Sequence, residues 1–288
     1  MTKILIIGAA GFVGSHLVKK INEIGQDEVI AIKSSAGDVS DPATWKALPQ
    51  ADIVIHLASK TFVPDSWLEP VEFFQTNING AINALEYCRL HHARLIYISS
   101  YLYGNPKELP ITERAEVKAS NPYMQSKKMA EDMCSFYSEY YGVAVTVLRP
   151  FNIYGPGQSN KFLIPSIVEQ ILETDSVKIR DLGPKRDYLY IEDLIEALIR
   201  VIAMPQKFEI YNIASGTSYS VQDLVDIVKN ITQKSVSIHS EGIRRPNEVM
   251  DTRADISKAK VDLGWQPHWS LEKGLKAMID LRLSYISN

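Results

Sequence analysis

What this chain lacks narrows its chemistry before any motif is read. It has two cysteines in 288 residues, Cys88 and Cys134. Each lies in a helical stretch among apolar or aromatic neighbours and reads as a reduced, buried small hydrophobe with no catalytic part. The six histidines are scattered, and the adjacent His91 and His92 cannot face one site from a regular helix, so no metal is expected. A net charge of only -3 gives no basic face for nucleic acid, and no nucleic-acid partner is expected. No run approaches the roughly eighteen apolar residues of a membrane span, and the N-terminus enters a strand with no basic leader. A cytoplasmic protein without a membrane partner is expected. Internal repeats and low-complexity segments are also missing.

What is present suits a globular enzyme: 45% hydrophobic and 23% charged residues, in a chain long enough for a dinucleotide-binding domain and a smaller lobe around one cleft. Strand-like runs at Glu28–Ile32, Ile53–His56, Leu95–Ser99 and Val143–Arg149 alternate with helical stretches. That order predicts an α/β fold with a Rossmann-type doubly wound parallel sheet. After Arg149 the pattern becomes mixed, interrupted by Pro150, Pro156, Gly157 and Pro165. The expected division is therefore a dinucleotide domain over 1–155 and a smaller C-terminal α/β substrate lobe, mainly 156–288.

The run Lys3 to Ile7 reads as a buried strand that breaks into Gly8-Ala9-Ala10-Gly11-Phe12-Val13-Gly14. Val13, Leu17, Ile21 and Ile24 follow at helical spacing, and Gly25 supplies a stop. The glycines thus fall between a strand and a helix N-terminus, where backbone can approach a pyrophosphate. Their Gly-x-x-Gly-x-x-Gly spacing differs from the general Gly-x-Gly-x-x-Gly fingerprint and matches it in mechanics only.

About a hundred residues later comes Asn121-Pro122-Tyr123-Met124-Gln125-Ser126-Lys127. Asn121 is a good N-cap, Pro122 suits the first helical position, and Gly142 ends the run, so Tyr123 and Lys127 lie four apart on one helix face. A nearby cation would favour the phenolate and bring a tyrosine closer to working pH. On its own the pair reads as an ordinary helix aromatic beside a solvated lysine. The glycine loop changes that reading to proton transfer coupled to hydride chemistry.

Taken together, several ordered motifs resemble those of the extended short-chain dehydrogenase/reductases that act on nucleotide sugars. They are Gly8, Gly11 and Gly14; His56-Leu57-Ala58; Ser99-Ser100-Tyr101-Leu102-Tyr103-Gly104; Tyr123 with Lys127; and Arg149-Pro150-Phe151-Asn152-Ile153-Tyr154-Gly155-Pro156. Lys185-Arg186-Asp187-Tyr188, Ile210 to Ala214, Arg245-Pro246, and Ala254-Asp255 through Leu263-Gly264-Trp265 extend the resemblance over nearly the whole chain.

The resemblance implies roles for individual residues. Ser99, four before Tyr103, matches the catalytic serine or threonine, with Ser100 its neighbour. Tyr123 would exchange the proton, while Lys127 would hold the nicotinamide ribose and lower the tyrosine pKa. Gly8, Gly11, Phe12, Val13, Gly14, Asp38, Val39, Leu57, Ala58 and Pro150 match cofactor positions. Ser100, Tyr101, Asn152, Arg186 and Arg245 match substrate positions, the arginines suiting a diphosphate. For Arg186 an ion pair with the adjacent Asp187 is the alternative. Asn77 resembles a supporting helix asparagine, with an ordinary structural amide as its alternative. The resemblance also implies that a stretch near 188–212 returns to the cofactor domain. It further implies a homodimer through the Tyr123 helix, whose outer face carries Met133, Tyr137 and Tyr140.

The second strand ends at Lys33-Ser34-Ser35, where an NAD enzyme usually presents a carboxylate to the ribose. A lysine with two hydroxyls suits a 2'-phosphate, so NADP(H) is favoured and NAD(H) is the alternative. Tyr101 stands where dehydratases of the family place a glutamate, which removes the usual base beside a carbonyl. The expectation is an NADPH-dependent reductase of a nucleoside-diphosphate 4-keto-6-deoxyhexose, serving surface polysaccharide biosynthesis. A 4-epimerase is the alternative, and a non-catalytic NADP-binding sensor is the second.

Overall fold

The apolar run that opens the chain explains the architecture. In β1 (Lys3–Ile7) four consecutive residues, Ile4 to Ile7, are almost fully buried. Successive strand side chains point to opposite faces, so four in a row require both faces to be covered. Ile4 and Ile6 enter one core and Leu5 and Ile7 another. The computed structural model describes residues 1–204, 208–243 and 248–286, with side chains through Ser284.

Next come α1 (Phe12–Ile24), β2 (Glu28–Ile32), a 3-10 turn at Ser34–Ala36, α2 (Pro42–Lys46) and β3 (Ile53–His56). Two short helices, α3 (Val63–Leu68) and α4 (Pro70–Phe74), lead through a π-helical turn at Gln75–Asn79 into α5 (Gly80–His91). Then follow β4 (Arg94–Ile98), α6 (Pro122–Tyr141) and β5 (Val145–Pro150). Beyond it run β6 (Asn152–Tyr154), α7 (Leu163–Glu173), β7 (Ser176–Ile179), β8 (Lys185–Tyr190), α8 (Ile191–Ile202) and β9 (Glu209–Ile213). The chain closes with β10 (Ser218–Ser220), α9 (Val221–Thr232), β11 (Ser237–Ser240), α10 (Ser257–Asp262) and α11 (Leu271–Ile286).

Six strands form one parallel sheet in the order β2-β1-β3-β4-β5-β9. After β2 the chain crosses to the other side of β1, so a switch point opens between β1 and β3, the place where such sheets bind ligands at their carboxyl ends. The strand ends there carry the glycine loop and Leu57-Ala58. The stretch 188–212 is split between two sheets. Tyr188 to Tyr190 pair with β6 in a three-stranded sheet of order β10-β8-β6, α8 packs on α1, and β9 lies beside β5. A two-stranded sheet joins β7 and β11. Both cysteines are buried and free. Among the described residues no helix is long and apolar enough to cross a membrane, and no group of three metal-ligating side chains occurs.

Candidate active site

The glycine loop is built for close approach. Gly8 has φ +89, and a Cβ there would stand 2.8 Å from the Ala58 nitrogen; at Gly14 it would stand 2.2 Å from the Gly8 carbonyl oxygen. Neither obstacle is a side chain that can swing away. The Gly8 and Ala9 amides donate to Ile32 O at 3.1 and 3.0 Å, pinning the turn to the end of β2. Gly11 caps α1 with no side-chain hydrogen bond, so the N–H groups of the first turn face outward as an anion site. This cradle fits a dinucleotide pyrophosphate.

Around it, Phe12 and Val13 open α1, Leu57 N donates to Ile7 O at 2.9 Å, and Pro150 is buried at the end of β5. Lys33, Ser34 and Ser35 are exposed beyond β2. Asp38 accepts from Ser40 N at 2.8 Å and from Ser40 Oγ at 2.9 Å, bonds that hold its carboxyl below the usual range. Val39 contributes its carbonyl to Trp45 and Asn83.

Helix α6 carries Tyr123 and Lys127. Asn121 caps it through Met124 N at 2.8 Å, and Gly142 ends it in the left-handed conformation. Its buried stripe is unusual. Tyr123, Lys127 and Glu131, spaced four apart, are 9%, 2% and 6% exposed, where a core helix would carry leucines. Burial raises the Tyr123 phenol above its ordinary pKa, and a hydrogen bond with the Ser100 side chain opposes that rise. Lys127 has contacts of its own. Its Nζ donates to Ile98 O at 2.6 Å and lies 4.5 Å from the centre of the Tyr97 ring. In the free protein the phenol is raised by burial and lowered by Ser100. Burial brings the Lys127 ammonium down to about 8, against the pull of Glu131.

Ser99 and Ser100, adjacent after β4, differ in their surroundings. Ser100 is hydrogen-bonded to Tyr123, while Ser99 Oγ is buried with no partner among the described residues. An orphaned interior hydroxyl at a strand end is a place for a ligand oxygen. Asn77 sits in the π-helical turn, an irregularity common at functional sites. Its amide accepts from Lys60 N at 2.9 Å and donates to Lys60 O at 3.1 Å and Ser126 Oγ at 2.9 Å. It ties the loop after β3 to α6.

Of the residues expected on the substrate side, Asn152 lies on β6 and Arg186 on β8. Asn152 Nδ2 donates to Asp187 O at 3.1 Å. Arg186 pairs with Glu248 and donates to Val249 O at 2.5 Å and Lys185 O at 2.8 Å. Its partner is thus Glu248, not the adjacent Asp187. Asp187 points inward to accept from Ser215 N, Ser215 Oγ, Gly216 N and Ala254 N at 2.6 to 3.2 Å. Burial raises its carboxyl to about 6 despite those donors. Tyr101 is half-buried with its hydroxyl on Gly104 O. Arg245 lies outside the described residues.

Two features escaped sequence reasoning. Glu131 holds Arg149 through a bidentate buried pair, Nε to Oε1 at 3.0 Å and Nη2 to Oε2 at 2.5 Å, and Arg149 in turn donates to Tyr103 Oη at 2.9 Å. Glu131 follows Lys127 by one helical turn, a spacing signal that could have found it. Glu248, distant in sequence from Arg186, gave none. On the outer face of α6, Met133 and Tyr137 are half-buried, with Tyr137 donating to Glu86 at 2.7 Å. The exposed large side chains there are Met129, Phe136, Tyr140 and Tyr141.

Comparisons with known proteins agree with this geometry. The sequence model of the NAD dependent epimerase/dehydratase family matches residues 4–214. GDP-6-deoxy-D-mannose reductase of Pseudomonas aeruginosa is 30% identical over 293 residues, covering 96% of each chain. A putative UDP-glucose 4-epimerase of Methanocaldococcus jannaschii is 31% identical, covering 96% of this chain and 97% of its own. The structure of RMD from Pseudomonas aeruginosa complexed with NADPH superposes with a TM-score of 0.92 at 28% identity, over 99% of this chain and 100% of that one. UDP-glucose 4-epimerase of Thermotoga maritima with UDP-glucose gives 0.91 at 27% identity, over 99% of both chains.

Proposed function

Because the chain belongs to the NAD dependent epimerase/dehydratase family and is an NAD(P)-dependent enzyme of nucleotide-sugar chemistry, we propose that it reduces the keto group of a nucleoside-diphosphate 4-keto-6-deoxyhexose with NADPH. The observation that carries this reading is the exposed cation and two hydroxyls at Lys33, Ser34 and Ser35, at the edge of the cradle and with no acidic residue among them. A carboxylate there would repel a 2'-phosphate, whereas this trio attracts one. The likeness to a reductase and to a structure holding NADPH supports it. A nucleotide-sugar 4-epimerase using NAD is the second reading, favoured by the comparable likeness to UDP-glucose 4-epimerases.

In the proposed division of labour, residues 1–155 with the stretch 188–212 hold the cofactor, and the remainder of 156–288 holds mainly the nucleotide sugar. Gly8, Gly11 and Gly14 take the pyrophosphate, and Arg186 with Asn152 and Arg245 takes the sugar's diphosphate. When bound, NADPH would supply the hydride for the carbonyl carbon. Tyr123 gives its proton to the carbonyl oxygen, while Ser99 and Ser100 hold that oxygen and the phenol in register. Lys127 is the cation behind the phenolate that remains. The exposed aromatics of α6 and Leu90 of α5 are assigned to a homodimer contact, in a cytoplasmic enzyme.

The test adds GDP-, UDP- and dTDP-linked 4-keto-6-deoxyhexoses to the purified protein and follows the nicotinamide absorbance of NADPH and, separately, NADH. Stoichiometric loss of NADPH is expected. Retained NAD together with interconversion of UDP-glucose and UDP-galactose, and no net oxidation, would move the assignment to the epimerase. Tyr123→Phe is expected to lower kcat by about a thousandfold, within the range for a lost general acid, with the dissociation constant for NADPH unchanged.

A further inference from the structure

Two residues beyond Ser99 stands a side chain to which the proton-transfer scheme gives no task. Tyr101 donates its hydroxyl to Gly104 O within its own turn. Gly104 has φ +62, and a Cβ there would stand 2.5 Å from Lys118 O, so the turn depends on glycine. The Tyr101 ring meets Phe151 edge to face, centroids 5.1 Å apart, and Tyr103 in the same manner at 5.6 Å. A ring held by one hydrogen bond and two aromatic edges has little freedom to swing aside.

Its place between two clusters is what gives that rigidity a use. On one side it packs against the cluster of Phe73, Leu102, Tyr123 and Met124, which carries the reacting phenol. On the other it packs against the cluster containing Phe151 and Ala254. Ala254 N is bonded to Asp187, the neighbour of Arg186, and the Arg186 charge is felt at the Tyr101 phenol. Tyr101 is half-buried, so part of its surface remains exposed.

We infer that Tyr101 determines facial specificity: its ring walls one side of the sugar pocket, so a hexose anchored by its diphosphate at Arg186 presents one face of its carbonyl at the reaction end. The inference rests on the reductase reading above. A pyranose tethered through its anomeric phosphate exposes either face by turning about the two bonds of that linkage. Epimerisation requires this turn, and stereospecific reduction requires that it be blocked. In the reduction, the carbonyl carbon gains the hydride of NADPH, the π electrons pass to oxygen, and oxygen takes the Tyr123 proton. The products are one alcohol and NADP+, and the face presented fixes the configuration of the new centre.

The experiment supplies NADPH and GDP-linked 4-keto-6-deoxymannose, with the UDP- and dTDP-linked keto sugars in parallel, to the wild type, Tyr101→Phe and Tyr101→Ala. The two C4-epimeric alcohols are resolved by NMR, and GDP alone is titrated calorimetrically against each protein. The wild type and Tyr101→Phe are expected to give one epimer, the other below about one part in a hundred. Tyr101→Ala is expected to raise the minor epimer to about one part in ten, a tenfold change equal to about 1.4 kcal/mol of facial discrimination. GDP affinity should not change, since the ring is assigned to the sugar. A single epimer from Tyr101→Ala, or a mixture from the wild type, overturns the inference. A wild type that oxidises no NADPH with any keto sugar instead rejects the reductase reading, and the inference falls with it. If Tyr101→Ala does not melt cooperatively, Tyr101→Val takes its place under the same criterion.

Discussion

The glycine loop and the Arg186 site are assigned the same kind of ligand, a diphosphate, and they are built in opposite ways. At Gly8 to Gly14 the donors are backbone amides, the shape is fixed by atoms that cannot move, and no side chain caps the helix. At β8 the donor is a long side chain already paired with Glu248, backed by an inward-facing Asp187 whose carboxylate binds two other segments. A backbone cradle is preorganised and tolerates no added atom. A side-chain site must exchange an internal partner for its ligand, which makes it tunable and weaker.

The largest effect expected from this contrast is at Gly14. Gly14→Ala sets a Cβ against the Gly8 carbonyl at 2.2 Å, so either the loop or the helix must shift, and overpacking of this kind costs roughly 1–3 kcal/mol or more. Affinity for NADPH should fall by at least about a hundredfold, while binding of a nucleoside diphosphate at the other site stays within about twofold. Titration of both ligands checks it. Loss of both would mean that the two sites are not separable.

Lys127 tests the ground between them. Its folded pKa of about 8 lies below the 10.5 of the free group. The unfolded chain therefore binds the extra proton between those values, and stability gains from this group as pH rises through that window. Below about pH 8 the full penalty for the buried ammonium is present, about 3 kcal/mol by linkage. Lys127→Met should remove that slope: the stability difference between wild type and variant changes by roughly this amount from pH 8 to 10.5 in denaturant titrations. Parallel curves would show that the lysine is already neutral or hydrated.

Arg186→Met should raise KM for the nucleotide sugar by about ten- to a hundredfold, the usual range for one charge-assisted contact. The NADPH dissociation constant should hold. The shortfall relative to Gly14→Ala is expected because Glu248 already holds the guanidinium in the free protein. An Arg186→Met variant with unchanged KM would remove the diphosphate from this site.

The same contrast explains what could be read from the chain alone. The loop, the strands that flank it and the capped α6 were legible because each depends on near neighbours. Gly8 to Gly14 span one turn, Asn121 caps α6 three residues on, and β1 shows its burial in one unbroken run. The pairing of Arg186 was not legible, since Glu248 reaches it through the fold and Asp187 stood closer in sequence. Nor was the choice between Ser99 and Ser100. Adjacent residues leaving a strand face opposite ways, and only the path of the chain decides which hydroxyl meets Tyr123. For Lys127 the spacing of four shows that it shares a helix face with Tyr123, and its bond to Ile98 O comes from the fold.

Lys33 offers the smallest and most discriminating change, because it adjoins the rigid cradle yet works as a side-chain site. It is exposed at the end of β2, so the attraction proposed for a 2'-phosphate would be screened by solvent and salt. Lys33→Glu should reverse the sign at that point and lower the ratio of kcat/KM for NADPH over NADH by about tenfold, near 1.4 kcal/mol. The effect should shrink as ionic strength rises, whereas the loss at Gly14 should not, because a steric obstacle has no counterion. A Lys33→Glu ratio that does not move, at low and high salt alike, would place cofactor choice elsewhere on the β2 edge. A ratio that moves with salt would mark the one part of the cradle that sequence can retune without rebuilding the backbone.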